Sequence, residues 1–197
     1  MTRIAIIVGS TRPGRNSRAV ADWFHQIATA YITSHELAAQ FDVLDLADFD
    51  LSHLNEEIPA AMGAPYTHDR TQNWSQAISS FDGYVIVTPE YNHSIPGVLK
   101  DAFDYLYREW HNKSIGFVSY GLAGGVRATE HLRTIAAELK LADVRATVAL
   151  SIFTDFETMS NLKPADHHRA MAHELIDQVL SWSRALSHLR AEEAPAT

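Results

Sequence analysis

Five short apolar runs, separated by longer stretches of helical periodicity, constrain this chain more than any other feature. They are Ile4–Gly9, Phe41–Leu46, Tyr84–Thr88, Ile115–Tyr120 and Ala146–Phe153. Four of the five are apolar on both faces, as a parallel strand buried between two helical layers requires. The second, FDVLDLAD, alternates more and is expected at a sheet edge. Between the runs, apolar residues recur at i, i+3, i+4 and i+7. The sets are Val20, Trp23, Phe24, Ile27 and Tyr31; Leu99, Ala102, Phe103, Leu106 and Trp110; Ala128, Leu132, Ile135 and Leu139; and Met171, Leu175, Val179, Trp182, Leu186 and Leu189.

Parallel strands need crossover connections, so this alternation predicts a doubly wound α/β sheet with helices on both faces. Five strands suit the flavodoxin-like order 2-1-3-4-5 better than a six-stranded dinucleotide fold; the order itself rests on strand number, because periodicity does not show it. With 197 residues the chain fits one domain, expected over 1–190, with residues 191–197 as a frayed tail. Residues 47–70 interrupt the rhythm with Pro59, Gly63 and Pro65. They read as a loop or partly helical excursion that covers a site and does not make a second domain.

The net charge of -8 argues against a nucleic-acid partner, since phosphate backbones attract basic faces. No cysteine is present, which excludes disulfides, thiol nucleophiles and thiolate metal sites. The first apolar run is too short for a signal peptide, and no apolar stretch approaches the ~20 residues that span a bilayer. A cytoplasmic protein is expected. The paired His167 and His168, with His173 beyond, lack the i, i+4 spacing of a helical zinc motif, so no metal site is expected.

In a doubly wound sheet, ligands collect beyond the carboxyl ends of the strands where the order reverses. The first strand-to-helix loop lies there and holds Ser10, Thr11, Arg12, Pro13, Gly14, Arg15, Asn16 and Ser17. Asn16 or Ser17 is the natural N-cap, and the free N–H groups and positive dipole of the helix start favour an anion. A glycine turn with solvated arginines and an ordinary cap would look the same. The loop has no Lys for a P-loop, no G-x-G-x-x-G and no G-x-S-x-G. What remains suits a compact phosphate, not a pyrophosphate.

Two further loops share that end. After the third run come Thr88, Pro89, Glu90, Tyr91 and Asn92, with Pro96 and Gly97 leading into a helix. The prolines stiffen the backbone, and Tyr91 offers a flat face for stacking. After the fourth run, SYGLAGG places Gly121, Gly124 and Gly125 where a ring system could approach the backbone. Strands one, three and four are neighbours in the five-stranded order, so the three loops would line one pocket.

GSTRPGRNS, TPEYNHSIPGVLKDAFDYL and SYGLAGG resemble the three cofactor loops of the NADPH-dependent FMN reductase family, flavodoxin-like flavoproteins that include quinone, azo and chromate reductases. The match spans roughly residues 1–150. The resemblance implies that Ser10, Arg12, Arg15, Asn16 and Ser17 hold the FMN phosphate, with Arg15 the least secure of them. It implies that Pro89, Glu90, Tyr91 and Asn92 border the ring and ribityl chain, and that Ser119, Gly121, Gly124 and Gly125 line the pyrimidine side. It further implies NADPH or NADH as electron donor, a small acceptor such as a quinone, azo compound, metal oxyanion or free flavin, and a homodimer or homotetramer. Lys100, Asp101, Tyr105 and Trp110 would then contact a second subunit, with a solvated Lys100–Asp101 face as the alternative. The flavin would carry the chemistry, so no catalytic side chain is assigned. A flavodoxin-type electron carrier without a nicotinamide site, and a non-redox phosphate-binding module on the same fold, remain as alternatives.

Overall fold

The computed structural model describes residues 1–193. Strands β1 (Thr2–Val8), β2 (Ala39–Asp45), β3 (Gly83–Pro89), β4 (Ser114–Gly121) and β5 (Ala142–Ser151) form one parallel sheet ordered β2-β1-β3-β4-β5. The register sets Ile6 of β1 between Val43 of β2 and Val85 of β3. The order reverses at β1, so the loops after β1 and β3 flank the switch point.

Both sheet faces are apolar, and each has its own core. Helices α1 (Ser17–Ser34) and α5 (His167–Ala185) cover one face, where Phe24, Ile27, Leu175 and Val179 pack on Ile4, Ile6, Val85 and Val118. Helices α2 (Asp69–Ser79), α3 (Gly97–Asp104) and α4 (Val126–Glu138) cover the other, where Trp74, Phe103 and Leu132 meet Ile7, Ile86 and Phe117. Because β1, β3 and β4 are buried on both faces, their sequences run apolar without alternation. β2 lies at an edge, as its pattern predicts. β5 is the opposite edge: it begins at Ala142, before the apolar run, and alternates buried with partly buried positions, Arg145 alone being exposed.

Four expectations are corrected. The periodicity from Leu99 to Trp110 is not one helix: α3 stops at Asp104, and Arg108–Trp110 make a single 3-10 turn. The chain turns inward there, so Tyr105 and Trp110 are 0% and 1% exposed within the single chain and belong to the core, not to a subunit interface. The Trp110 indole donates to the Phe103 carbonyl at 3.3 Å. The periodicity from Met171 to Leu189 breaks at Leu186, where α5 ends and α6 (Ser187–Glu193) begins. Residues 191–193 are therefore helical and not frayed, while 194–197 lie outside the described residues.

The 47–70 excursion holds a short 3-10 turn at Ala60–Met62 and packs outside α3. Asp101 accepts from His53 at 3.0 Å, and the Tyr105 phenol shares a hydrogen bond with Ser52 at 3.1 Å. Tyr66 donates to Glu109 at 2.8 Å. These bonds run to α3 and the segment behind it, not to the loop after β1. Among the described residues no helix is long and apolar enough to cross a membrane.

Candidate functional site

The loop from Gly9 to Asn16 leaves the buried end of β1 and feeds α1. Asn16 occupies the N-cap position without a capping side-chain bond, and the first turn of α1 carries no acidic residue. Its amide instead donates to the Met159 carbonyl at 2.9 Å. The helix start therefore keeps unsatisfied N–H groups and a positive dipole end. The Ser17 hydroxyl, fully buried at that start, faces the Tyr120 phenol without a hydrogen bond of ordinary geometry to any group. Burial pushes the Tyr120 phenol up to about 12, outweighing the Ser17 hydroxyl and amide directed at its oxygen, so it stays neutral beside the helix start.

The arginines of this loop differ in their ties. Arg15 donates to the buried Asp45 carboxylate at 2.7 Å, and Arg18 lies 3.8 Å from the same group. Arg12 is exposed and has no carboxylate partner among the described residues; its Nη atoms donate to the Pro13 and Gly14 carbonyls at 3.2 and 3.4 Å. Its Nε donates to the Tyr91 phenol at 3.2 Å, and Ser10 Oγ shares a hydrogen bond with that phenol at 3.0 Å. The loops after β1 and β3 thus meet through Ser10, Arg12 and Tyr91. Of the residues implied for the phosphate, Ser17 Oγ and Arg15 Nε are buried donors without a partner among the described residues, Arg12 is engaged only by neutral oxygens, and the Asn16 amide is already taken by Met159.

The loop after β3 is a tight hairpin. Tyr91 and Ser94 exchange backbone bonds at 2.9 and 3.1 Å around Asn92 and His93, which take φ of 48° and 74°. A two-residue turn with both central residues left-handed is the form that asparagine tolerates and most residues resist. Glu90 faces away from this turn. Its carboxylate accepts from the Arg127 side chain at 2.6 Å and from the Arg127 amide at 3.1 Å, so it caps α4. Burial raises the Glu90 carboxyl, but the bonds from Arg127 outweigh that and hold it below the ordinary carboxylate range.

The loop after β4 is closed in the same manner. Gly124 and Gly125 have φ of 73° and 75°. A Cβ on Gly125 would sit 2.8 Å from Ser119 Cβ and 2.9 Å from the Tyr120 amide nitrogen. These glycines are thus demanded by backbone sign and by packing on the sheet, not only by open approach for a ring. The buried Ser119 hydroxyl donates to the Gly124 carbonyl at 2.7 Å and holds the loop from within. Leu122 and Val126 are left exposed on its outer side.

Sequence reasoning missed the segment after β5. The short strands β6 (Phe156–Glu157) and β7 (Asn161–Leu162) form a hairpin whose tip carbonyl, on Met159, is the one that Asn16 grips. Its base is fastened by buried Asp155, which accepts from the Ser151 amide at 2.9 Å, the Ala165 amide at 3.2 Å and His168 Nε2 at 2.9 Å. This hairpin, not the 47–70 excursion, walls the loop after β1. Arg127 and Tyr120 were also missed. Tyr120 adjoins Gly121 and Arg127 lies two residues past Gly125, but a single sequence carries no signal for the Arg127 partner 37 positions away.

A five-stranded parallel sheet of this order, with an anion-ready first loop beside two rigid loops at its switch point, defines the flavodoxin-like class. Residues 2–155 match the family model described as NADPH-dependent FMN reductase. The chain is 36% identical over 161 residues to an NAD(P)H-dependent FMN reductase of Nectria sp, covering 79% of each chain. It is 35% identical over 139 residues to a quinone reductase of Escherichia coli, covering 68% of each. The structure of FerB, a flavoenzyme NAD(P)H:(acceptor) oxidoreductase from Paracoccus denitrificans, superposes with a TM-score of 0.69 at 18% identity, covering 94% of this chain and 98% of that one. The chain belongs to the NADPH-dependent FMN reductase family. It is an oxidoreductase of the flavoprotein type, with FMN as cofactor and NAD(P)H as donor.

Proposed function

We propose that this protein passes electrons from NAD(P)H through FMN to a small acceptor of the quinone class, donor and acceptor taking turns at one site. The observation that carries the reading is the start of α1: amides with no capping side chain, the buried Ser17 hydroxyl and the Arg12 guanidinium, bonded only to neutral oxygens, converge where a phosphate would sit. FMN, when bound, supplies the hydride acceptor and the electron store. The α1 amides and Ser17 would bind its phosphate, and Arg12 would close over it by a charge-assisted bond.

Arg15, tied to Asp45 through Nη2, would orient the loop. Glu90 would act through Arg127 by fixing the loops after β3 and β4 against each other. The backbone groups of 89–92 and 121–125, held in place by those bonds, would border the ring; a prearranged wall of this kind avoids ordering cost when the ligand binds. No side chain here needs to move a proton, and none is assigned that task. The family resemblance extends the proposal to a cytoplasmic homodimer or homotetramer, which light scattering on the purified protein tests directly.

Purification decides the central reading. A yellow protein that releases FMN and oxidises NADPH or NADH only when FMN is present, with parallel double-reciprocal lines against a quinone, is the expected result. Yellow protein without nicotinamide oxidation would mark an electron carrier instead. Colourless protein that rejects added FMN would overturn the cofactor assignment.

A further inference from the structure

A cleft of about 970 Å³ opens at the opposite, amino end of the sheet, beneath the starts of β3 and β4. Ser79–Asp82, Tyr107–Glu109, His111, Lys113, Lys140 and Arg190 line it. The volume is in the range of small-molecule sites. Its charges are unevenly matched. Asp82 is held by Arg190 at 2.9 Å and by the Arg3 amide at 2.8 Å, while Glu109 accepts from Tyr66 at 2.8 Å and from Ser75 at 2.6 Å. Neither carboxylate pairs with Arg108, Lys113 or Lys140.

Lys113 forms the floor. It is 6% exposed, and its Nζ donates to the Ile78 carbonyl at 2.9 Å and to the Tyr84 phenol at 2.8 Å. A lysine ammonium has three donors, so one is left over. Burial first, and then Arg190, brings the amine down to about 7; Asp82 and Glu109 raise it too little to compensate. Arg108 and Lys140 stand exposed at the rim, without an ion pair among the described residues. In a chain of net charge -8, this local surplus of cations is against the overall balance.

We propose that this cleft is a second ligand site, for a small multiply charged oxyanion seated on Lys113 and gripped by Arg108 and Lys140. An anion there supplies the counter-charge that the cleft lacks, and it takes the third Lys113 donor. The arginine fork suits phosphate or carboxylate oxygens. The site is independent of the flavin reading, because it lies at the other end of the strands.

The test is calorimetric titration of FMN-loaded protein with inorganic pyrophosphate and, separately, with citrate. Loading with FMN fills the loop after β1, so heat from that end is removed; in an Arg12→Ala background the same result should hold. Saturable binding of pyrophosphate alone identifies a phosphoryl ligand, and of citrate alone a polycarboxylate; either supports the site. Arg108→Ala with Lys140→Ala should weaken that binding by about tenfold or more, the effect of losing a hydrogen bond to a charged group. FMN-dependent NAD(P)H oxidation should stay unchanged. No binding of either anion, or equal binding to the double variant, overturns the proposal. Lys113→Met should also abolish binding, but the rim variants decide the matter even if that one fails to fold.

Discussion

The loop after β1 and the loop after β4 lie at the same end of one sheet but treat their polar groups in opposite ways. Around α1 the helix start is uncapped, Ser17 has no well-formed bond and Arg12 has no carboxylate. Around α4 the start is capped by Glu90, Arg127 is paired and Ser119 is bonded inward. In the proposed site the first loop would receive charge, and the second would hold shape. A ligand with a charged end and a flat neutral end matches that division. It follows that substitutions in the loop after β4 should register mainly as stability, and those in the loop after β1 mainly as binding.

The sharpest break comes from Gly125→Val. A side chain there must adopt a left-handed backbone and strike the sheet, which should cost about 3 kcal/mol or more of stability in urea unfolding. Unchanged stability would show that the loop can move aside and is not a fixed wall. Glu90→Gln should cost about 1–2 kcal/mol, discounted because Arg127 is partly exposed. The same variant changes the acid limb. The Glu90 carboxyl titrates lower in the folded than in the unfolded chain, so its contribution is whole above the ordinary value of 4.5 and is lost as pH falls through the lower folded value. Below pH 4.5 the variant should lose stability less steeply than the parent, as followed by circular dichroism.

Arg12→Ala tests the opposite behaviour. FMN affinity should fall by about tenfold, near the lower end for a hydrogen bond to a charged group because the side chain is exposed. Thermal stability of the FMN-free protein should not change. A loss of stability with intact affinity would reverse the assignment of roles. Gly97→Ala should have the smallest effect. A Cβ there meets nothing within 4 Å, and stability should shift by under about 1 kcal/mol. A marked fall in FMN affinity in this variant would place the cofactor against the start of α3.

The sheet was legible because burial on both faces leaves a direct mark: Ile4–Val8 and Ile115–Tyr120 are short apolar runs bounded by turn residues, as central strands are, and FDVLDLAD announces its edge. β5 was read less well. An edge strand over an apolar turn hides its true start, and the run from Ala146 blurred into Ile152 and Phe153. The continuous pattern from Leu99 to Trp110 misled because a buried 3-10 turn can carry the same apolar spacing as a helix. At the site, loop positions followed from topology, but partners did not. That Glu90 would meet Arg127, or Asn16 would grip Met159, depends on how separate segments fold together, and such pairings leave no local periodicity.

The outermost strands carry charge: Asp42 on β2 is paired with Arg3, while Asp143 on β5 is paired with Arg133 and Arg145 stands almost fully exposed. Charged borders discourage the strand-by-strand accretion that turns open edges into fibrils. Growth of the five-stranded sheet by pairing of its outer strands is thereby disfavoured even in crowded solution.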